Sequence, residues 1–366
     1  MVGHLTSLMH KGHAIDRKAL KHLLGRVFVY VLMLLIVGAI IKLVPRIWKD
    51  VSEGDPLYVA LAIPFEILSI AGYVLLFWAV YGAAAKRKDQ GADAARPLTL
   101  KESMQLTTSR LALGDTLPGG GASGFAVQFW ALSRAGFSAA QISRTTTAFL
   151  VLSNTVMTVM IFVLGVLIGA GITQGHLHPA ITWTSAGAAL ALIITLLLFA
   201  KKGAHFEPPP PDVTPPYSGK HAKWRNMLWS VTVRLPPGAN DAMHIIRRPY
   251  AIIGMLANPG FDFCAFYLGY AAVGDPLPLS IMLMAYFIGQ VGSLIPLPGG
   301  IGGVQGLAIG VLIAGGASGA TATAGVLVWT GVALGTQIVW GFWQYWGLRK
   351  SMKTWQAEGD HPSATA

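Results

Sequence analysis

Charge is what this chain has least of. Only 12% of its 366 residues are Asp, Glu, Lys or Arg, against 53% that are hydrophobic, and the mean hydropathy is +0.55. So little charge excludes an ordinary soluble domain and points to a polytopic membrane protein. Cysteine is nearly absent. The one residue, Cys264, rules out a disulfide within the chain and reads as a small buried hydrophobe inside an apolar segment. There is no Gly-rich Walker sequence and no polar stretch of domain size, which excludes a nucleotide-driven motor or a synthase domain within these residues. Acidic residues are the scarcer sign, 16 against 27 basic ones, for a formal charge of +11. In a soluble chain that balance suggests nucleic acid. Here Lys and Arg flank apolar segments, the positive-inside pattern with attraction to anionic lipid, so no nucleic-acid partner is expected. Complete ligand sets are missing too. His4, His10, His13 and His22 sit in a basic N-terminal stretch and His176 with His178 in a loop, so neither metal nor cofactor is expected.

What is present is a series of apolar segments. After Lys11, Arg17, Lys18, Lys21 and Arg26, a run from about Val27 to Val44 is long enough to span, and no small-residue cleavage site follows it. It reads as an uncleaved first helix with a cytoplasmic N-terminus. Further segments lie near 57–82, 103–117, 122–134, 145–172, 181–200, 250–274, 278–297, 300–316 and 322–348. An N-in start places Lys86 to Lys88, Arg134, Arg144, Lys201, Lys202, Arg349, Lys350 and Lys353 inside, while the outer loops near 171–179 and 274–280 carry no Lys or Arg. Arg46 and Lys49 in the first outer loop are the misfit, partly offset by Asp50, Glu53 and Asp55. The expected organisation is a basic segment over 1–26, a first membrane repeat over 27–172, the start of a second over 173–200, a cytoplasmic loop over 201–248, the rest of the second repeat over 249–348 and a cytoplasmic tail over 349–366. In the loop, Pro208 to Pro211 form a polyproline-type spacer, and Trp224, Met227, Leu228 and Val231 recur at helical spacing beside Lys and Arg, as in an interfacial helix.

The tripeptide Pro-Gly-Gly occurs twice, at Pro118-Gly119-Gly120 and Pro298-Gly299-Gly300, and the surrounding sequence matches at one offset of 180 residues: Leu117 with Leu297, Leu132 with Leu312, Gly136 with Gly316, Ser138 with Ser318. Proline before two glycines ends a helix, and at membrane depth that is tolerated only where the freed backbone lines a protein cavity. The segments on either side of each motif are short. Each pair therefore reads as a re-entrant or broken helical hairpin. Ten elements divide into two sets of five, and an odd number per set forces the second to enter from the opposite side. The fold expected is all-α and polytopic, an inverted-topology repeat with paired hairpins at the two motifs. A tight helix crossing or an outer turn is the plainer explanation of a single Pro-Gly-Gly.

Ionisable residues inside apolar segments are functional candidates because a lone charge at mid-bilayer costs at least about 2.5–3.5 kcal/mol. Arg110 is the best phosphate partner, since its planar fork grips two oxygens. Glu66, Asp115 and Asp262 are candidates to pair with it or to carry a coupling proton or ion; a structural ion pair is the alternative for each. Asn154, Gln290 and Gln337 suit a cavity lining or interhelical bonding equally. Trp329, Trp340, Trp343, Tyr345 and Trp346 read as an aromatic belt and packing surface.

The run Pro296-Leu297-Pro298-Gly299-Gly300-Ile301-Gly302-Gly303 resembles the Pro-x-Pro-Gly-Gly-x-Gly signature of the lysylphosphatidylglycerol synthase transmembrane (flippase-like) family, and Leu117 to Gly124, followed by Arg134 and Gly136, is similar to the glycine-rich element of its first half. The family's pattern often places Arg-Glu where Val304-Gln305 stands here, which leaves Gln305 as a hydrogen-bonding stand-in for a carboxylate. The resemblance implies a lipid translocase of a bacterial-type cytoplasmic membrane, with both termini cytoplasmic, moving a phospholipid or polyprenyl-linked lipid between leaflets; the alternative it implies is a membrane subunit or membrane-embedded enzyme of lipid modification. Amides at a glycine-rich turn, aimed by the following half-helix, attract phosphate. The substrate contacts expected are Arg110, Asp115, Pro118, Gly119, Gly120, Gly121, Gly124, Pro298, Gly299, Gly300, Gly302 and Gln305. The partners expected are anionic or zwitterionic membrane lipids and a lipid-modifying enzyme.

Overall fold

Apolar segments separated by glycine and proline become helices, and the helices meet where glycine lets them. The structure is a computed structural model and describes residues 55–85, 95–116, 121–203, 235–294 and 302–359. The described residues are helical apart from connections: α1 (Pro56–Ala85), α2 (Leu100–Thr116), α3 (Gly121–Arg134), α4 (Ala139–Gly169), α5 (Pro179–Gly203), α6 (235–245), α7 (Pro249–Ala271), α8 (Leu279–Val291, followed by a 3-10 turn, Gly292–Leu294), α9 (Gly303–Ala314) and α10 (Gly319–Gly359). Among them α1, α4, α5, α7 and α10 are long and apolar enough to cross a membrane. The apolar segment over 27–44, the interfacial helix over 220–234 and both Pro-Gly-Gly tripeptides lie outside the described residues. Helix α6, over a stretch beginning Leu235-Pro236-Pro237-Gly238, is not anticipated by the sequence pattern; proline is tolerated in a first helical turn but reads as a breaker.

The 180-residue offset reappears as local geometry. Helix α3 ends where Gly136 takes φ 86° and the Phe137 and Gly136 amides donate to Leu132 O and Ser133 O; α9 ends where Gly316 takes φ 106° and Ala317 and Gly316 donate to Leu312 O and Ile313 O. Only glycine takes this left-handed C′ conformation without penalty. The next helices then start alike. The Ser138 hydroxyl accepts the Gln141 amide at 3.2 Å while Gln141 Oε1 accepts the Ser138 amide at 2.9 Å, and the Ser318 hydroxyl accepts the Thr321 amide at 3.1 Å. Packing repeats as well: α1 contacts α2 and α4 as α7 contacts α8 and α10, and α2 lies on α10 as α8 lies on α4.

Two apolar cores divide the molecule. One gathers Leu76 to Ala85 of α1, Leu106, Leu132, Phe149 of α4, Met255 of α7 and Leu348 of α10; the other gathers Ala62 of α1, Ile161 of α4, Phe266 of α7, Met282, Leu312 and Val326 of α10. The pair α2–α3 therefore sits at one end of the four helices that contribute to both cores, α1, α4, α7 and α10, and α8–α9 at the other. The limbs are 17, 14, 13 and 12 residues long. At about 1.5 Å per residue each falls short of the roughly 30 Å of hydrocarbon in a bilayer.

Helices α1 and α7 make the most extensive contact, through glycine. A Cβ on Gly72 would lie 2.6 Å from the Asn258 nitrogen, and one on Gly254 would lie 2.5 Å from Leu76 N and 2.7 Å from Gly72 O. Asn258 Nδ2 then donates to Ser69 O and Oγ at 3.2 and 3.0 Å across the crossing. At the start of α2, Glu102 ties α2 to α10: it accepts Trp355 Nε1 at 2.9 Å, the Thr99 amide at 2.8 Å and Arg96 at 2.9 Å. Burial works to raise its pKa, but the Thr99 amide and hydroxyl, the Trp355 indole and Arg96 together hold it below the ordinary 4.5.

Two measurements check this packing. Gly254→Ala, which presses a methyl onto backbone, is expected to lower stability by about 1–3 kcal/mol and the melting temperature with it, whereas Gly187→Ala, with nothing within 4 Å, leaves it unchanged; equal melting temperatures would contradict the crossing. Because the Glu102 pKa is depressed on folding, its stabilisation is present above about pH 4.5 and lost as pH falls through the folded value. Melting temperature should therefore drop more steeply on acidification in the wild type than in Glu102→Gln; parallel curves would show that the carboxylate contributes nothing.

Candidate functional site

Two polar centres lie within the apolar bundle, one in each core. The first is built around Arg110 on α2, 8% exposed. Its guanidinium donates to Gln128 Oε1 at 3.0 Å and to the Tyr73 hydroxyl at 2.9 Å, and it lies 4.5 Å from the Phe125 ring centre and 5.7 Å from those of Tyr73 and Phe149. Gln128 Nε2 passes the network on, donating to the Tyr81 hydroxyl at 2.6 Å and to Thr146 Oγ1 at 3.2 Å. These partners are all neutral. Among the described side chains, which do not include that of Asp115, no carboxylate comes within ion-pair reach of Arg110. Desolvated cation–π contacts contribute about 2 kcal/mol and a hydrogen bond to a charged group about 1.5–3 kcal/mol, so the cage offsets much of the burial of the cation while leaving its charge unneutralised. Below Arg110 on the same face of α2, the hydroxyls of Ser103 and Thr107 are buried with no hydrogen-bond partner.

The second centre joins the two halves. Glu66 on α1 is 2% exposed and accepts Gln337 Nε2 of α10 at 3.1 Å. Its carboxyl lies beside that of Asp262 on α7, close enough for the two groups to act on each other. Asp262 in turn accepts Trp329 Nε1 at 2.8 Å on one oxygen and the Tyr286 hydroxyl at 2.8 Å and Gln290 Nε2 at 3.2 Å on the other. Aromatic rings wall the site: Phe266 stands edge-on to Trp329 at 5.4 Å, and Tyr286 to Phe263 at 5.7 Å. Glu66 and Tyr73, the anchors of the two centres on α1, are seven residues apart. That is two turns, about 10 Å, along one face.

The structure thus brings together some of the residues singled out from sequence and gives others separate surroundings. Glu66 and Asp262 meet each other rather than Arg110. Gln290 and Gln337 serve those carboxyls, while Asn154 Nδ2 donates to Leu150 O of its own helix. Gly124 is a packing residue, because a Cβ there would lie 2.6 Å from the Arg110 carbonyl; Ser123 Oγ donates to Leu113 O beside it. The same pinch recurs in the second hairpin, where a Cβ on Gly292 would overlap the Gly303 carbonyl group. Gly302 takes φ 109°, and Gln305 Oε1 accepts its amide at 2.7 Å, so Gln305 caps α9 and reaches Thr330 with its other end at 3.3 Å. Asp115 lies in the last turn of α2 and Gly121 opens α3. Pro118, Gly119, Gly120, Pro298, Gly299 and Gly300 fall outside the described residues. Arg144 makes a two-pronged pair with Asp241 of α6 at 2.6 and 2.8 Å, and Arg134 lies 4.7 Å over Trp130.

Sequence reasoning missed Tyr73, Tyr81, Gln128, Thr146 and Tyr286, and read Trp329 as packing. Gln128, a lone amide in an apolar half-helix, was the one legible signal. Its part in the first centre is testable. Gln128→Leu strips an acceptor from the buried guanidinium and a donor from Tyr81, and is expected to lower stability by about 1–3 kcal/mol. Because the two residues share one network, Arg110→Leu/Gln128→Leu should lose less than the sum of the single losses in thermal melts of the purified protein; strict additivity would mean that they do not act together.

Comparison with known proteins identifies a family. No curated protein matches the chain. The sequence model of the family described as "Lysylphosphatidylglycerol synthase TM region" matches residues 23–341, which takes in both Pro-Gly-Gly motifs and the main residues of both polar centres. The protein is therefore a multi-pass membrane protein that belongs to the lysylphosphatidylglycerol synthase TM region family.

Proposed function

We propose that this protein is a lipid translocase, which moves a phosphate-bearing lipid between the leaflets of the cytoplasmic membrane by exposing a headgroup site alternately to either side. The observation that carries the reading is Arg110: a buried guanidinium caged by aromatic rings and an amide, with no described anion beside it. A phosphodiester supplies the missing charge, and a planar fork suits its two oxygens. The partnerless Ser103 and Thr107 hydroxyls continue that polar face along α2, as the lining of a headgroup path would. Acyl chains need no such path and remain in hydrocarbon.

The same reading accounts for the paired hairpins. Limbs too short to cross, packed at opposite ends of four long helices, are what two re-entrant hairpins of an inverted repeat require. Arg134, Arg144, Lys201, Lys202, Arg349, Lys350 and Lys353 gather at the end that holds α2–α3, whereas the loops at the end of α8–α9 carry no Lys or Arg over 170–178 and 272–278. The first end is therefore assigned to the cytoplasm. Membrane lipids are the partners, and a lipid-modifying enzyme is the natural source of the substrate.

Leaflet exchange of fluorescent phospholipids in proteoliposomes tests the assignment. Wild type is expected to exchange a phospholipid; Arg110→Ala should lower the rate at least tenfold with the melting temperature retained within a few degrees, and Arg110→Lys should recover only part of it. Undiminished exchange in Arg110→Ala removes Arg110 from the path. No exchange of any lipid by folded wild type turns the assignment to a membrane subunit of a lipid-modifying enzyme.

A further inference from the structure

Hydrogen-bond accounting at the second centre leaves one atom without a donor. Glu66 Oε2 is buried and unpartnered, although it belongs to a carboxyl that lies beside that of Asp262. Two carboxylates are both acceptors and cannot satisfy each other. Asp262 already receives three donors, from Trp329, Tyr286 and Gln290, the arrangement that favours an anion, whereas Glu66 receives one, from Gln337. The missing element is one donor between the two groups, on the Glu66 side.

We propose that Glu66 and Asp262 form a proton-binding site, in which Glu66 holds the proton and donates it to Asp262 across the α1–α7 interface. A metal ion suits the site less well. A hard cation needs several oxygen ligands, while the groups around Asp262 present N–H and O–H. The groups facing the pair are Tyr286 and Gln290 from α8 and Trp329 and Gln337 from α10; among the described residues no Lys, Arg or His reaches it, and Arg110 of α2 is held at Tyr73, two turns along α1. The two carboxyls stand on opposite halves of the molecule. Losing the proton leaves two facing anions, which drives the halves apart at that point, and taking it up draws them together. Resting on the translocase reading, this makes the proton gradient the source of drive for lipid movement.

Infrared difference spectroscopy on the purified wild-type protein tests the site without lipid transport. A protonated-carboxyl C=O band is expected at neutral pH that shifts in heavy water, disappears in Glu66→Gln and is lost or displaced in Asp262→Asn, whose amide supplies the donor instead. Absence of the band in wild type, or its persistence in Glu66→Gln, overturns the proposal, as does its removal by sodium chloride at constant pH and ionic strength, which would identify a cation site. Should Glu66→Gln fail to fold, Asp262→Asn decides alone. In proteoliposomes, a pH gradient should accelerate lipid exchange by wild type several-fold and that by Glu66→Gln not at all. A normal band with no lipid exchange counts against the translocase alone; exchange that ignores the gradient in both proteins counts against the coupling.

Discussion

The closeness of α1 and α7 is the constraint on which the rest of the structure depends. In hydrocarbon no hydrophobic drive brings two apolar helices together, so association rests on van der Waals contact and on bonds across the interface. Gly72 and Gly254 supply the first by letting backbone touch backbone, and Asn258 with Ser69 supplies the second. One turn further on lie Glu66 and Asp262. Their carboxyls meet only because the helices that carry them are in backbone contact. A wider crossing would separate the carboxyls and would admit lipid or water between them.

From that crossing the two halves extend with the same parts in the same order. Each hairpin is pinched by a residue too small to hold the chains apart, Gly124 in one and Gly292 with Gly303 in the other, and each is followed by a glycine turn and a serine cap. Yet the chemistry has diverged. The first half holds a cation among neutral partners, an acidic pair among donors joins the two halves, and the cation meets no charge at the 180-residue offset, where Arg110 matches Gln290. A scaffold with matching turns, caps and helix contacts in its two halves therefore carries two different polar sites, about 10 Å apart along α1.

Much of the scaffold was legible in the sequence because membranes impose simple rules. Long apolar runs gave the spanning helices, and the glycine and serine matches at Gly136/Gly316 and Ser138/Ser318 are the turns and caps themselves. Boundaries shifted where polar residues extend a helix: α10 runs past Arg349 to Gly359 because its basic end continues the helix beyond the apolar part. The site was half legible. Arg110, Glu66 and Asp262 stand out because charge is rare in such segments, but their pairing depends on which faces meet, and composition carries no such information. Tyr73, Tyr286 and Trp329 escaped notice for a further reason: an amphipathic ring looks like packing until the end bearing its hydroxyl or indole N–H is found against a charge.

The placement of the two centres bears on how a headgroup could cross at all. A single mid-membrane cation would hold a phosphate too well to release it, since the interaction that lowers entry also deepens the well. Here the guanidinium is already engaged by Tyr73, Gln128 and three rings, so on the translocase reading proposed above an arriving phosphate would compete with existing contacts and gain only the difference. With the proton site proposed above, the acidic pair two turns away adds an adjustable term. A neutral or singly charged pair leaves the field at Arg110 favourable to an anion, and a second negative charge at about 10 Å in a poorly screening interior opposes it by an amount comparable to RT or larger. On the proposed reading, neutral partners around the cation and a variable charge nearby would together make binding reversible, and reversibility is what separates a carrier from a trap.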